Sequence, residues 1–140
     1  MNRTNNVKTP RALKLVSLTL LLASAAGGAW AQQGFGGFPE QSGEAIYTGI
    51  CQGCHMPDAK GAAGAGAYPA LAGDKRLGSK EYPAMVVLRG QKAMPAFGGA
   101  FDDAQIANVV NYIRTSFGNR YKDPITPAEV KALRVAAQAR

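Results

Sequence analysis

Cys51-Gln52-Gly53-Cys54-His55 sets two thiols three positions apart, with an imidazole directly after the second. Four chemistries use thiols at this spacing. A redox dithiol would want a βαβ pattern around it, and none surrounds this one. A tetrahedral zinc site needs a fourth ligand; the chain has no third cysteine and no second histidine, which leaves only a carboxylate. A disulfide across a two-residue gap closes too small a loop to stabilise much. Attachment of a c-type haem requires nothing further: both cysteines make thioethers to one porphyrin edge while His55 reaches the iron.

Ligand count sharpens that reading. The chain contains a single histidine, so a second imidazole from the same chain is impossible. Thioether sulfur is a soft donor that favours reduced iron and raises the potential. Of the four methionines, Met1 falls in a leader, Met56 adjoins His55 and cannot circle to the far face of the ring, and Met85 lies in a predicted helix. Met94 stands in a loop shaped by Gly90, Pro95, Gly98 and Gly99 that can cross the distal face. His55 and Met94 are therefore the expected axial ligands.

The start of the chain reads as an address. Arg3, Lys8, Arg11 and Lys14 precede any acidic residue, Leu15 to Ala26 is apolar but for Ser17, Thr19 and Ser24, and Ala29-Trp30-Ala31 is a small-x-small cleavage pattern. Residues 1–31 are expected to be a secretory signal peptide cut after Ala31, since the apolar run is short for a span of about 20 residues. Export to the periplasm follows, with membrane association only through a partner or an uncleaved signal. Four of the sixteen basic residues leave with the signal, and twelve remain against nine acidic ones, so the formal charge falls from +7 to +3. That small excess weakens a nucleic-acid reading of the chain; it suits a redox partner with an acidic docking face but is too small to carry that argument alone, and no nucleic acid is expected as a partner.

The positioning elements follow in order. Residues 32–41, with Gly34, Gly36, Gly37 and Pro39, read as a flexible leader. Ser42 is a predicted N-cap, and Ile46, Tyr47, Ile50 and Cys51 share one face of a helix that delivers the cysteines. Pro57 to Ala67, rich in Gly and Ala, is a predicted loop along one side of the haem, closed by Tyr68-Pro69, where proline leaves a carbonyl in a defined place. A second helix is predicted over Ser79 to Arg89, with Tyr82, Met85, Val86 and Leu88 as its apolar contacts and Gly90 as its end. Asp102 and Gln105 form a capping box for a third helix whose stripe is Ile106, Val109, Val110 and Ile113, with Tyr112 and Phe117 joining its buried face. Thr126-Pro127-Ala128-Glu129 starts a surface helix over residues 127–138, with Val130, Leu133 and Ala137 inward. No internal repeat and no convincing strand is evident.

Over roughly Ser42 to Gly118 the pattern resembles class I cytochromes c, in particular the small monohaem domains that accompany bacterial periplasmic dehydrogenases. Gly43 and Tyr47 match the small and aromatic positions of that family's first helix, crossed by Val109 and Tyr112 of its last; Cys51, Cys54 and His55 match the attachment motif, and Met94-Pro95 the distal ligand motif. The resemblance implies that the carbonyl of Pro69 accepts the Nδ1 proton of His55, with Leu71 packing beside it, which would orient the ring and make it a better donor. It further implies an all-α fold wrapped around one covalent haem c: a cytochrome c haem domain over residues 42–118 and a C-terminal extension over 119–140 that either covers the domain or docks on a partner. The implied function is single-electron transfer between a dehydrogenase and a downstream carrier or terminal oxidase, as a free shuttle or a fixed subunit, with redox proteins as partners, no small-molecule substrate and no catalytic residue. The rival is a haem enzyme or gas sensor with a labile sixth position. Arg89, Tyr82 and Lys92 are candidates for the haem carboxylates, with solvated surface the plainer reading of each.

Overall fold

Ser42 opens the first helix by accepting the Ala45 N–H on its hydroxyl at 3.1 Å. The computed structural model describes residues 38–139 apart from residue 65; the expected signal peptide, its cut after Ala31, and residues 32–37 lie outside the described residues. From Ser42 the chain runs through α1 (Gly43–Ile46), a π-helical turn (Tyr47–Cys51) and α2 (Gln52–His55) without a break. In the π turn the Gln52 N–H reaches back to the Tyr47 carbonyl. Such wide turns recur at functional sites, and this one carries Cys51. Sequence periodicity does not distinguish it from ordinary helix.

The remaining helices are α3 (Glu81–Arg89), α4 (Asp103–Thr115) and α5 (Pro127–Gln138). Both anticipated capping boxes form: Asp102 with Gln105, and Thr126 with Glu129. The α4 stripe is buried as expected, with Ile106, Val109, Val110 and Ile113 at the centre of the core. Gly43 lets α1 cross α4 in near contact, because a Cβ there would run into the Asn108 carbonyl and the Tyr112 side chain. Beside that crossing, Tyr47 packs its ring 5.8 Å from Tyr112 and 4.8 Å from Phe117.

Three expectations need correction. The Gly/Ala loop contains two short strands, β1 (Ala62–Ala63) and β2 (Ala67–Tyr68), paired antiparallel with Ala62 opposite Tyr68. Second, α3 begins at Glu81, after a 3-10 turn at Lys75–Gly78, and it buries Pro83, Ala84, Val87 and Leu88; Tyr82, Met85 and Val86 are only half-buried. Proline in the first turn, where no N–H is needed, turns its ring inward and shifts the packed face by one position. Third, within the stretch expected to be a flexible leader, Phe38–Gln41 is held against α4. The Gln105 side-chain amide donates to the carbonyls of Phe38 and Glu40, Asn108 donates to that of Gln41, and the Phe38 ring sits edge-on to Phe101.

The 119–139 segment is built into the core. Ile125 and Val130 are buried, and burial of such side chains contributes about 1.5–3 kcal/mol each. Arg114, 1 % exposed, donates to the carbonyls of Leu77, Gly78 and Asp123 and pairs with the Asp123 carboxylate at 2.6 Å. Lys80 reaches Glu129 at 2.7 Å and Arg134 reaches Asp103 at 2.7 Å. Among the described residues, no helix is long and apolar enough to cross a membrane.

Candidate functional site

Cys51, Cys54 and His55 emerge together from the π turn and α2. Cys51 is half-buried and Cys54 exposed, and the two are not joined to each other. Burial, aided by the neighbouring Cys54, pushes the Cys51 thiol up to about 11. A redox dithiol relies on the opposite shift. Among the described residues no group of three or more His, Cys, Asp or Glu side chains gathers to hold a metal ion.

His55 is almost wholly buried, and its Nδ1 lies 3.0 Å from the carbonyl oxygen of Pro69. With Nδ1–H donating there, Nε2 is the nitrogen left free to bind a metal. Two devices hold Pro69 at that distance. Ala59, fully buried, accepts the N–H groups of Leu71 and Ala72 on its carbonyl, at 2.8 and 2.9 Å, and so folds the far arm of the loop back on the near one. Gly61, at φ 68°, lies against the Tyr68–Pro69 backbone so closely that a Cβ would run into the Tyr68 carbonyl oxygen. Neither residue was singled out from the sequence. One glycine among several in a loop gives no hint of which one another strand touches.

The turn after His55 is equally specified. Met56 leaves the helix at φ 68°, its carbonyl accepts the Tyr47 hydroxyl at 2.7 Å, and the Gly61 N–H donates to the His55 carbonyl at 3.1 Å. Burial, with smaller contributions from neighbouring charges, pushes the Tyr47 phenol up to about 12, so it stays a donor across the physiological range.

Met94 lies in the loop after α3. Gly90 closes that helix at φ 71°, where a Cβ would come within 2.6 Å of the Met94 carbonyl oxygen. Gln91 and Met94 then exchange two backbone hydrogen bonds of 3.0 Å around a turn in which Lys92 takes a positive φ. Met94 is half-buried against the core, as are Ile50, Leu71 and Phe97. Half-covered apolar side chains drawn from the helix, the Pro69 loop and the Met94 loop, beside two thiols and one free imidazole nitrogen, form a donor set and lining that fit a covalently attached macrocycle. Arg89 and Lys92 are exposed, and Tyr82 donates a weak 3.4 Å bond to Gln91.

Residues 39–113 match the family described as cytochrome c oxidase, cbb3-type, subunit III. The chain is 34 % identical over 113 residues to the gluconate 2-dehydrogenase cytochrome c subunit of Pantoea cypripedii, an alignment covering 70 % of this chain and 25 % of that protein. It is 32 % identical over 115 residues to cytochrome c-552 of Thermus thermophilus, covering 68 % of this chain and 86 % of the relative. To cytochrome c6 of Diacronema lutheri it is 33 % identical over 79 residues, which is 55 % of this chain and 95 % of the relative. The chain thus spans about a quarter of the dehydrogenase subunit it matches and nearly the whole of the small cytochromes.

Proposed function

The chain belongs to the cytochrome c family, whose members carry covalently bound haem c, and from that premise we propose that it is a periplasmic single-electron carrier serving a dehydrogenase. In this reading Cys51 and Cys54 hold the haem through thioethers, and His55 and Met94 are its axial ligands. The bound group supplies an iron that cycles between Fe(III) and Fe(II).

The observation that carries the reading is the pairing of His55 with the Pro69 carbonyl at 3.0 Å. A buried imidazole with Nδ1 committed to a backbone carbonyl is fixed in orientation and tautomer, which is how a permanent metal ligand is held. Met94 adds a soft donor on a loop braced at both ends. With both axial places taken by the chain, no position is left for a substrate, and the oxidised and reduced forms need little rearrangement. The haem-enzyme reading lacks its acid-base group: the single histidine of the chain is the one bound to Pro69.

A dehydrogenase as donor is supported by the likeness to cytochrome subunits named for gluconate, alcohol and fructose dehydrogenases. A periplasmic setting is supported by the leader over residues 1–31. The downstream acceptor in this proposal is a further cytochrome or a terminal oxidase.

Exported holoprotein is expected to give a low-spin spectrum in both redox states and a reversible potential. Met94→Ala should open the sixth position and speed carbon monoxide binding to the ferrous form. A wild-type protein that is high-spin at neutral pH, or binds carbon monoxide as fast as that variant, would falsify the carrier assignment.

A further inference from the structure

The loop bearing Met94 is fastened from two directions, and the second fastening comes from the far end of the chain. On one side α3 holds it: Phe97 N–H donates to the Val87 carbonyl at 2.9 Å and Gly98 N–H to that of Leu88 at 3.2 Å. Gly98 sits so close that a Cβ would lie 2.6 Å from the Leu88 oxygen. These bonds consume the N–H groups of the loop and leave carbonyls facing α5. Arg134 of α5 takes them, donating from Nη1 to Gly98 and from Nη2 to Phe101 at 2.9 Å, while its Nε donates to the Asp103 carboxylate at 2.7 Å. The guanidinium is largely buried, its side chain 21 % exposed, and Asp103 opposite is 27 % exposed. Phe97 and Phe101 stack at 5.2 Å beneath the same loop.

We propose that Arg134 is a positioning residue for Met94, setting how readily the thioether leaves the iron; this rests on the ligation of iron by Met94 proposed above. Sulfur–iron bonds to neutral thioethers are weak, so the residence of the ligand depends on how far its loop can swing. Gly98 is four residues from Met94, and of the three residues between them Phe97 is itself held by Val87, which leaves Pro95 and Ala96 to give. A planar fork with fixed donor directions bridges two carbonyls and a carboxylate at once, which an ammonium cannot do. Arg134 also lies outside residues 39–113, so the family match does not account for it.

The test uses full-length ferric holoprotein and imidazole as the entering ligand. At saturating imidazole the observed rate is limited by departure of Met94, and the sulfur-to-iron charge-transfer band in the far red reports how much of the bond remains. Arg134→Met keeps the apolar stem and removes the fork. It is expected to raise the limiting rate about tenfold, equivalent to ~1.4 kcal/mol, and to bleach the band below the temperature of global unfolding. Arg134→Lys should fall between that variant and wild type. Glu129→Gln, which frees the start of α5 from Lys80 without touching the loop, should leave the limiting rate unchanged. The proposal is overturned if Arg134→Met shows the wild-type rate, or if Glu129→Gln raises the rate by the same factor, since general loosening of α5 would then suffice. A wild-type protein without the band overturns the Met94 ligation itself, a result distinct from either.

Discussion

The two loops that flank the candidate site share backbone closure and differ in what is added to it. The Pro69 loop is closed by backbone on backbone: Ala59 accepts two N–H groups, Gly61 lies against Tyr68 and Pro69, and the Lys60–Asp58 ion pair is local and exposed. The Met94 loop has its backbone bonds to α3 and, in addition, a side-chain clasp from Arg134 of α5, and the segments beyond it are tied by Arg114 and Lys80 reaching across the chain. The backbone-closed loop has no adjustable part, so its tolerance should be all or none. The side-chain-closed half should lose stability in increments, one clasp at a time.

The largest effect should come from Gly61→Val. A β-branched residue at φ 68° is strained, by about 1–3 kcal/mol, and the clash with the Tyr68 carbonyl adds overpacking of about 1–3 kcal/mol. Denaturant unfolding is expected to show a loss of about 3 kcal/mol or more, and a native-like midpoint would break the contrast between the two loops. Next comes Arg114→Met, which leaves the Leu77 and Gly78 carbonyls without their donor. A loss of about 2–3 kcal/mol is expected in the same measurement, in line with hydrogen bonds from charged groups.

Asn119 sharpens the comparison because it joins the end of the Pro69 loop to α4. Buried at 4 % exposure, it donates at 2.8 Å to Leu71 at the end of the Pro69 loop and to Ile113 of α4. Asn119→Ala should cost about 1–3 kcal/mol and raise hydrogen exchange at Leu71 and Ala72 before it does so in α5. If α5 opens first, the link to the Pro69 loop is not the one that matters.

Acid should act most on the side-chain-closed half, although the backbone and side-chain hydrogen bonds of Lys60 also hold Asp58 of the Pro69 loop below its ordinary value. The Lys80 ammonium, with the Thr126 N–H and hydroxyl, holds the Glu129 carboxyl down at about 2 from 4.5. A depressed carboxyl contributes stability above its unfolded value and loses it as pH falls through the folded one. Thus α5 should loosen between pH 4.5 and about 2, seen as faster hydrogen exchange, with a flatter profile in Glu129→Gln. Asp123, lowered by its hydrogen bond from Arg114, follows the same sign. The smallest effect belongs to Lys60→Ala: its pair with Asp58 is solvated on both sides, and no resolvable change in thermal midpoint is expected.

What the sequence disclosed, and what it withheld, divides along the same line. Short-range signals were readable: the Cys-x-x-Cys-His spacing, the boxes at Asp102 and Thr126, the α4 stripe, and the bounds of α5. Each is settled within a few residues. The face of α3 was misjudged because a proline in its first turn shifted the packed positions. The roles of Ala59 and Gly61 were invisible because each is defined by a chain segment it meets only after folding. The clasps of Arg114 and Arg134 carry no signal in the sequence, since their partners include backbone carbonyls, which are the same at every residue. Whether 119–140 covers the domain or docks on a partner was likewise open in the sequence; Ile125 and Val130, both buried, pack that segment on the domain.

The amide grip of Gln105 and Asn108 on the carbonyls of Phe38, Glu40 and Gln41 bears on mechanics. Tension arriving through the polypeptide ahead of Phe38 is delivered sideways into the longest helix of the domain before it can reach α1. Under the proposed function, load entering at Phe38 would fall on α4 rather than on the segment carrying Cys51, Cys54 and His55.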